Sequence, residues 1–161
     1  MRRLHVTHPL ALIGWVALAE GAGAFGSLFT APAIQGWYAT LTKPDLTPPS
    51  WVFAPVWSTL FLFMGIAAYL VWQRRHVSHV RTSFVFFGVQ LALNVLWSFL
   101  FFGLQNPAFA LLDIAFLWVA IFGTIVAFAK VSRSAAWLLA PYLAWVSFAA
   151  YLNYLLWALN S

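Results

Sequence analysis

Five apolar stretches, each about the length needed to cross a hydrocarbon core, constrain this chain more than anything else in it. They run approximately Pro9–Thr30, Trp51–Trp72, Thr82–Gly103, Ala108–Ala129 and Ala135–Leu159, with short polar breaks between them. Only 7% of the residues are charged and 64% are hydrophobic, whereas a soluble domain carries about 25% charge. So little polar surface cannot cover a water-soluble fold, and the solvent must be lipid. Inside lipid every backbone N–H and C=O has to be satisfied within the protein, which favours helices. The expectation is an all-α, five-transmembrane-helix bundle forming a single integral membrane domain over residues 1–161. The first apolar stretch has no convincing cleavage pattern after it and reads as a retained span rather than a signal peptide.

Several function classes are excluded early. The eight Lys and Arg residues fall between the apolar stretches instead of forming a nucleic-acid patch. The chain has no cysteine, so there is no disulfide framework, thiolate nucleophile or cysteine metal site. No phosphate-binding glycine loop and no metal-ligand spacing occurs. His76 and His79 stand three apart without a nearby carboxylate, in a basic turn with Arg74, Arg75 and Arg81. No metal and no resident cofactor is expected. Hydrolysis and phosphoryl transfer have no candidate residues.

The segment Trp37–Trp57, WYATLTKPDLTPPSWVFAPVW, breaks the apolar pattern. Pro48-Pro49 cannot lie inside a helix, and the residue before each proline is pushed toward extended geometry. Residues 36–50 are therefore expected to form an ordered, aromatic-rich, largely non-helical loop. A free linker would not need Trp37, Tyr38, Leu41 and Leu46, so the loop should pack over the bundle as a cap. Ser50 is placed to cap the following helix, with Pro55 in its first turn.

Polar residues inside the spans are the next signal, because lipid offers them no hydrogen bonds. Glu20 lies in the first span and Asp113 in the fourth, the latter read as a structural contact. In the third, Gln90, Asn94 and Trp97 are spaced four and three apart and share one helix face. They serve either as interhelical glue or as the polar wall of a ligand pocket. In the fifth, Tyr142, Trp145 and Ala149 fall on one face, and Pro141 frees a carbonyl one turn earlier and should bend the helix. Gly88 and Ala92 make one small-xxx-small step on the third span. Short loops and the lack of an inverted repeat weigh against alternating-access transport. Arg2, Arg3, Arg74, Arg75, Arg81, Lys130 and Arg133 fall on the N-terminal side and only Lys43 on the other. The positive-inside rule puts the N-terminus in the cytoplasm, most simply in the cell membrane.

The loop segment above, then QLALNVLWSFLFFG at Gln90–Gly103 and LLAPYLAWVSFAAYLNYLLW at Leu138–Trp157, resembles the tryptophan-rich sensory protein family, also known as the translocator protein or peripheral-type benzodiazepine receptor family. The resemblance covers nearly the whole chain and points to a prokaryotic member. It implies a five-helix bundle around a pocket capped by the first long loop, and a homodimer. It implies binding of porphyrins such as protoporphyrin IX, of cholesterol, and of synthetic benzodiazepine-type ligands, with transport of tetrapyrroles or sterols as the alternative. Motif matches carry Tyr38 and Pro44 onto the capping loop, and Asn94 and Trp97 onto the third-helix wall. Trp57, in PVW, and Trp145, in PYLAW, match two pocket tryptophans tied to light-dependent porphyrin breakdown. Ala149 matches a position where a small residue governs ligand fit. Gln90 and Tyr142 complete the expected ligand-binding set. The family's sterol pattern needs a Lys or Arg after the fifth-helix tyrosine, and none follows Tyr151 or Tyr154, so sterol binding is the weaker expectation. A photo-oxidative role for Trp57 and Trp145 stands beside the plainer one of stacking on the ligand.

Overall fold

The structure is a computed structural model and describes residues 8–161. The basic residues Arg2 and Arg3 lie outside the described residues. Seven α-helices follow in order: α1 Pro9–Gln35, α2 Trp37–Thr40, α3 Ser50–Trp72, α4 Val80–Ser98, α5 Pro107–Val131, α6 Arg133–Leu138 and α7 Ala140–Leu159. A π-helical turn, Phe99–Gly103, prolongs α4. No strand occurs among the described residues. Five helical stretches are long and apolar enough to cross a membrane: Pro9–Gln35, Ser50–Trp72, Val80–Gly103, Pro107–Val131 and Arg133–Leu159. The chain is an all-α, five-span, multi-pass membrane bundle with a proline-rich loop closing one end.

Helix α3 is the most enclosed of the spans and contributes Phe61, Met64, Ala67 and Tyr69 to the core. Phe87 and Leu91 of α4, Ile114, Leu117, Ile121 and Phe128 of α5, and Tyr142 and Val146 of α7 meet them there. Between helices in lipid there is little hydrophobic gain, because lipid tails are as apolar as leucine. Close packing and interhelical hydrogen bonds hold the bundle instead. Gly65 shows this: a Cβ there would lie 2.5 Å from Val16 Cα and 3.0 Å from the Trp15 carbonyl. Only glycine lets α1 and α3 approach so closely. The outer face of α1, with Leu10, Ile13, Leu18, Phe25 and Leu28, is exposed and forms part of the lipid-facing surface.

Helix ends are closed by side chains from several directions. Asn106 Oδ1 accepts from the Phe109 N–H at 3.1 Å at the start of α5. Ser132 ends α5 and begins α6, its hydroxyl accepting from the Ala135 N–H at 3.4 Å. Arg74 Nη1 donates to the Val131 carbonyl and closes the C-terminus of α5 from the neighbouring turn.

Residues 36–50 are largely non-helical as expected, with one helical turn at Trp37–Thr40. Three local expectations are corrected. The first span runs on through Pro32 to Gln35 rather than stopping near Thr30. Ser50 does not cap α3: Pro49 holds that position, no side-chain cap bond forms, and Pro55 lies deeper than the first turn. There the Thr59 hydroxyl donates to the Pro55 carbonyl at 2.8 Å. The fifth span is broken rather than merely bent. Helix α6 ends at Leu138, and Pro141 falls in the opening turn of α7, where its missing N–H has no helical partner to lose.

Candidate functional site

A cavity of about 420 Å³ opens inside the loop end of the bundle, between α1, α3, the C-terminal half of α4 with its π turn, and α7. Sequence spacing explains most of its wall. Gly23, Ser27, Thr30 and Ile34 recur at helical intervals on α1, and Phe53, Trp57 and Phe61 do the same on α3. From α7 come Trp145, Ala149, Leu152, Asn153 and Leu156. The π turn widens the end of α4, with Leu104 N–H donating to the Phe99 carbonyl at 2.8 Å. That extra residue per turn brings both Phe101 and Phe102 to the cavity.

The aromatic rings form a connected wall. Trp97 stacks on Phe101 with centroids 5.1 Å apart, and Tyr38 reaches Phe102 at 5.8 Å. Trp57 lies edge-on to Tyr142 at 6.2 Å, and Trp145 meets Phe53 at 6.1 Å. The lining is mainly apolar, and both of its amides are held. Asn94 Nδ2 donates to the Tyr142 hydroxyl at 2.9 Å. Trp97 Nε1 donates to Asn153 Oδ1 at 3.0 Å, and Asn153 Nδ2 donates to the Pro107 carbonyl at 2.8 Å. Trp145 Nε1 is buried and has no acceptor. Glu20 is the one charged side chain on the wall among the described residues.

The loop closes this end. Thr42 N–H donates to Asn160 Oδ1 at 2.9 Å, and Asn160 Nδ2 donates back to the Thr42 carbonyl at 3.0 Å. This reciprocal pair ties the loop to the end of α7 across 118 residues. Trp37 and Leu41 pack with Tyr38, Phe101 and Leu156 in a small separate core. The Lys43 ammonium lies over the Tyr38 ring, 4.8 Å from its centroid. Burial pushes the Tyr38 phenol above its ordinary pKa.

Of the residues singled out in the sequence, Tyr38, Trp57, Asn94, Trp97, Trp145 and Ala149 line the cavity. Tyr142 stands behind the wall, fully buried, and orients Asn94. Gln90 is one turn beyond the cavity floor, its Nε2 against Met64 Sδ at 3.8 Å. Pro44 is half-buried in the loop and off the wall. Asp113 is buried within α5, away from the cavity, and its Oδ2 has no hydrogen-bond partner. Asn94 is thus at once interhelical glue and cavity wall. Missing from the sequence reading are the α1 stripe, Phe101, Phe102 and the bridging amide Asn153. The stripe was visible as small and polar residues at helical spacing, whereas the two phenylalanines depend on a π turn that no local pattern announces.

These features define a multi-pass integral membrane protein with an aromatic-walled cavity inside its helix bundle. The chain belongs to the TspO/MBR family, whose model matches residues 15–158. It is 44% identical over 155 residues to the tryptophan-rich protein TspO of Chlorobaculum tepidum, covering 94% of this chain and 96% of that one. Against the translocator protein of Homo sapiens it is 43% identical over 147 residues, covering 89% and 86%. Against the tryptophan-rich sensory protein of Cereibacter sphaeroides it is 36% identical over 149 residues, covering 91% and 92%.

Proposed function

We propose that this protein is a membrane receptor that binds porphyrins such as protoporphyrin IX, and other flat apolar molecules of the sterol or benzodiazepine type, in the loop-end cavity. The observation that carries this reading is the wall itself: three indoles, Trp57, Trp97 and Trp145, surround one space whose lining is mainly apolar. Ligand pockets of about 300–1,000 Å³ with apolar and aromatic linings and a few fixed polar groups suit such molecules. Asn94 and Asn153 supply the fixed polar groups, because their partners hold both amides in place. The propionates of a porphyrin would sit toward the loop, where Lys43 and backbone N–H groups lie, and away from Glu20. Ala149 leaves room beside Trp145 for the edge of a macrocycle.

Under light the bound porphyrin supplies its own excited state. Trp57 or Trp145 would then donate an electron to the excited macrocycle, and the reduced macrocycle would pass electrons to dioxygen. The indole radical would be refilled by an electron from the porphyrin, so that dioxygen is the net oxidant and the porphyrin the net reductant, while the cap excludes water. Transport is the weaker reading, since the loop is pinned to α7 and the helices show no repeat. The same proposal includes a homodimer through the exposed face of α4 and an N-terminus on the cytoplasmic side. Titration with protoporphyrin IX tests the binding: tryptophan fluorescence should fall to a plateau at a fixed stoichiometry. Linear quenching without saturation would reject the receptor reading.

A further inference from the structure

At the opposite end of the bundle a second hollow, about 310 Å³, runs between α4 and α5. Its depth is apolar, with Phe86, Phe122, Gly123 and Val126, and its mouth carries His79, Thr82 and Lys130. His79 immediately precedes α4, and Lys130 lies in the last turn of α5, so both mark one membrane boundary. Phe122 is eight residues before Lys130, roughly 12 Å along the helix at 1.5 Å per residue. The groove therefore extends from the boundary most of the way through one leaflet, about 15 Å thick in its hydrocarbon part. It owes its shape to Gly123: a Cβ there would come within 2.8 Å of Phe86 Cε1. The Phe86 ring lies over bare backbone, and Val126 stays exposed beside it.

The charge at this boundary has one sign. Arg75, Arg81 and Arg133 stand near the same helix ends as Lys130. Arg74 is committed to the Val131 carbonyl, and Arg75 lies over the Trp72 ring at 4.4 Å. The side chains of Lys130 and His79 have no hydrogen-bond or ion-pair partner among the described residues. The three carboxylates of the chain lie elsewhere: Glu20 on the cavity wall, Asp113 buried within α5, and Asp45 in the loop at the other end. An unpaired ammonium and an imidazole at the mouth of an apolar groove, at headgroup level, match one occupant by both charge and length.

We infer that the α4–α5 groove is a binding site for an anionic phospholipid, with one acyl chain along Phe86, Phe122 and Val126 and the phosphate at Lys130, His79 and Thr82. Basic pockets between transmembrane helices at the membrane surface hold anionic headgroups by this chemistry, and a Lys placed at the headgroup, as Lys130 is in this groove and Arg133 is not, contributes about a fivefold preference. The site is separate from the loop-end cavity and does not depend on what that cavity binds.

The test uses the full chain in nanodiscs of equal phosphatidylglycerol and phosphatidylcholine, released into mild detergent for native mass spectrometry. The parent should retain phosphatidylglycerol over phosphatidylcholine by roughly fivefold or more. Lys130→Ala should remove most of that preference, and Lys130→Ala with His79→Ala all of it. Arg133→Ala, which leaves the groove lining intact, should keep it. Val126→Trp, filling the groove from its exposed side, should lower retention of both lipids. Equal retention of the two lipids by the parent overturns the inference. So does an equal loss in Arg133→Ala and Lys130→Ala, which would mean general surface charge. Displacement of the lipid by inorganic phosphate alone would also overturn it, since the groove would then play no part. If Val126→Trp fails to fold, the lysine and arginine variants decide the matter by themselves.

Discussion

Trp145 is the residue whose state most invites a ligand. Its indole N–H is buried with no acceptor, and leaving such a donor unpaired costs about 1–3 kcal/mol. A small turn of the ring toward the cavity would let a ligand acceptor satisfy it. Trp57 faces the same space from α3, held between Phe61 at 5.7 Å and Tyr142 at 6.2 Å. Replacing either indole by phenyl removes an electron donor but keeps an aromatic face. Trp57→Phe and Trp145→Phe should weaken protoporphyrin binding by only about two- to tenfold, the worth of an aromatic contact, yet abolish its light-driven conversion. Illumination with absorbance followed over time checks this; conversion at the parent rate in both variants would remove the indoles from the chemistry. Tyr38 gives a prediction in pH. Its phenol is raised by burial, so the fold favours the neutral form. That stabilisation is intact below the ordinary tyrosine range, near 10, and is lost as pH rises through the raised value. Melting temperature measured across that range should fall more steeply for the parent than for Tyr38→Phe.

Among the elements, the loop between α2 and α3 is the one proposed to control access. It has packed aromatic anchors at one end and the reciprocal Thr42–Asn160 pair as its tie to α7. Each such hydrogen bond contributes a net of about 1 kcal/mol or less where exposed. Asn160→Ala should therefore leave the bundle folded and speed dissociation of bound porphyrin by about five- to tenfold. Stopped-flow displacement reads the rate, and limited Asp-N cleavage before Asp45 reports loop release. An unchanged dissociation rate with faster cleavage would mean that the ligand leaves by another path. The π turn after α4 acts in the same region. It directs Phe101 beneath Tyr38 and Trp37, so the cap rests on a platform that a regular α-helix would not present.

For the molecule as a whole, the exposed face of α4 is the surface proposed for dimerisation. A Cβ at Gly88 would meet nothing within 4 Å, so a large side chain there does not disturb the protomer. Gly88→Trp should shift the protein from dimer to monomer in mild detergent or nanodiscs while its melting temperature stays near the parent's. A parent that is strictly monomeric in several such media would overturn the dimer. Membrane orientation has an equally direct check. Ser161→Cys introduces the sole cysteine of the chain. An impermeant maleimide should label it from the side opposite the cytoplasm, and labelling from the cytoplasmic side alone would reverse the assignment.

The number of spans, their approximate limits and the existence of a cap could be read from the chain alone. Hydrocarbon thickness sets a length for apolar runs, and Pro48-Pro49 cannot continue a helix, so both properties are local. Helical spacing likewise put Asn94 beside Trp97 and Trp145 beside Ala149, and those pairs do share the cavity wall. Gln90 obeys the same spacing and yet packs on Met64 below the cavity. Its fate depends on the depth of the space between α1, α3 and α7, which is set where Gly65 lets α1 close onto α3. The break at Leu139, the helical turn at Trp37–Thr40 and the inward phenylalanines of the π turn are also products of packing. In each, the freed backbone groups are satisfied within a few residues, as where the Leu139 N–H donates to the Ala136 carbonyl at 3.1 Å and the Leu104 N–H to the Phe99 carbonyl at 2.8 Å, while packing against other helices fixes the geometry. The groove at Gly123 is the same kind of fact: its glycine and its lysine stand seven residues apart on α5, but only the Phe86 ring of α4 makes them one site.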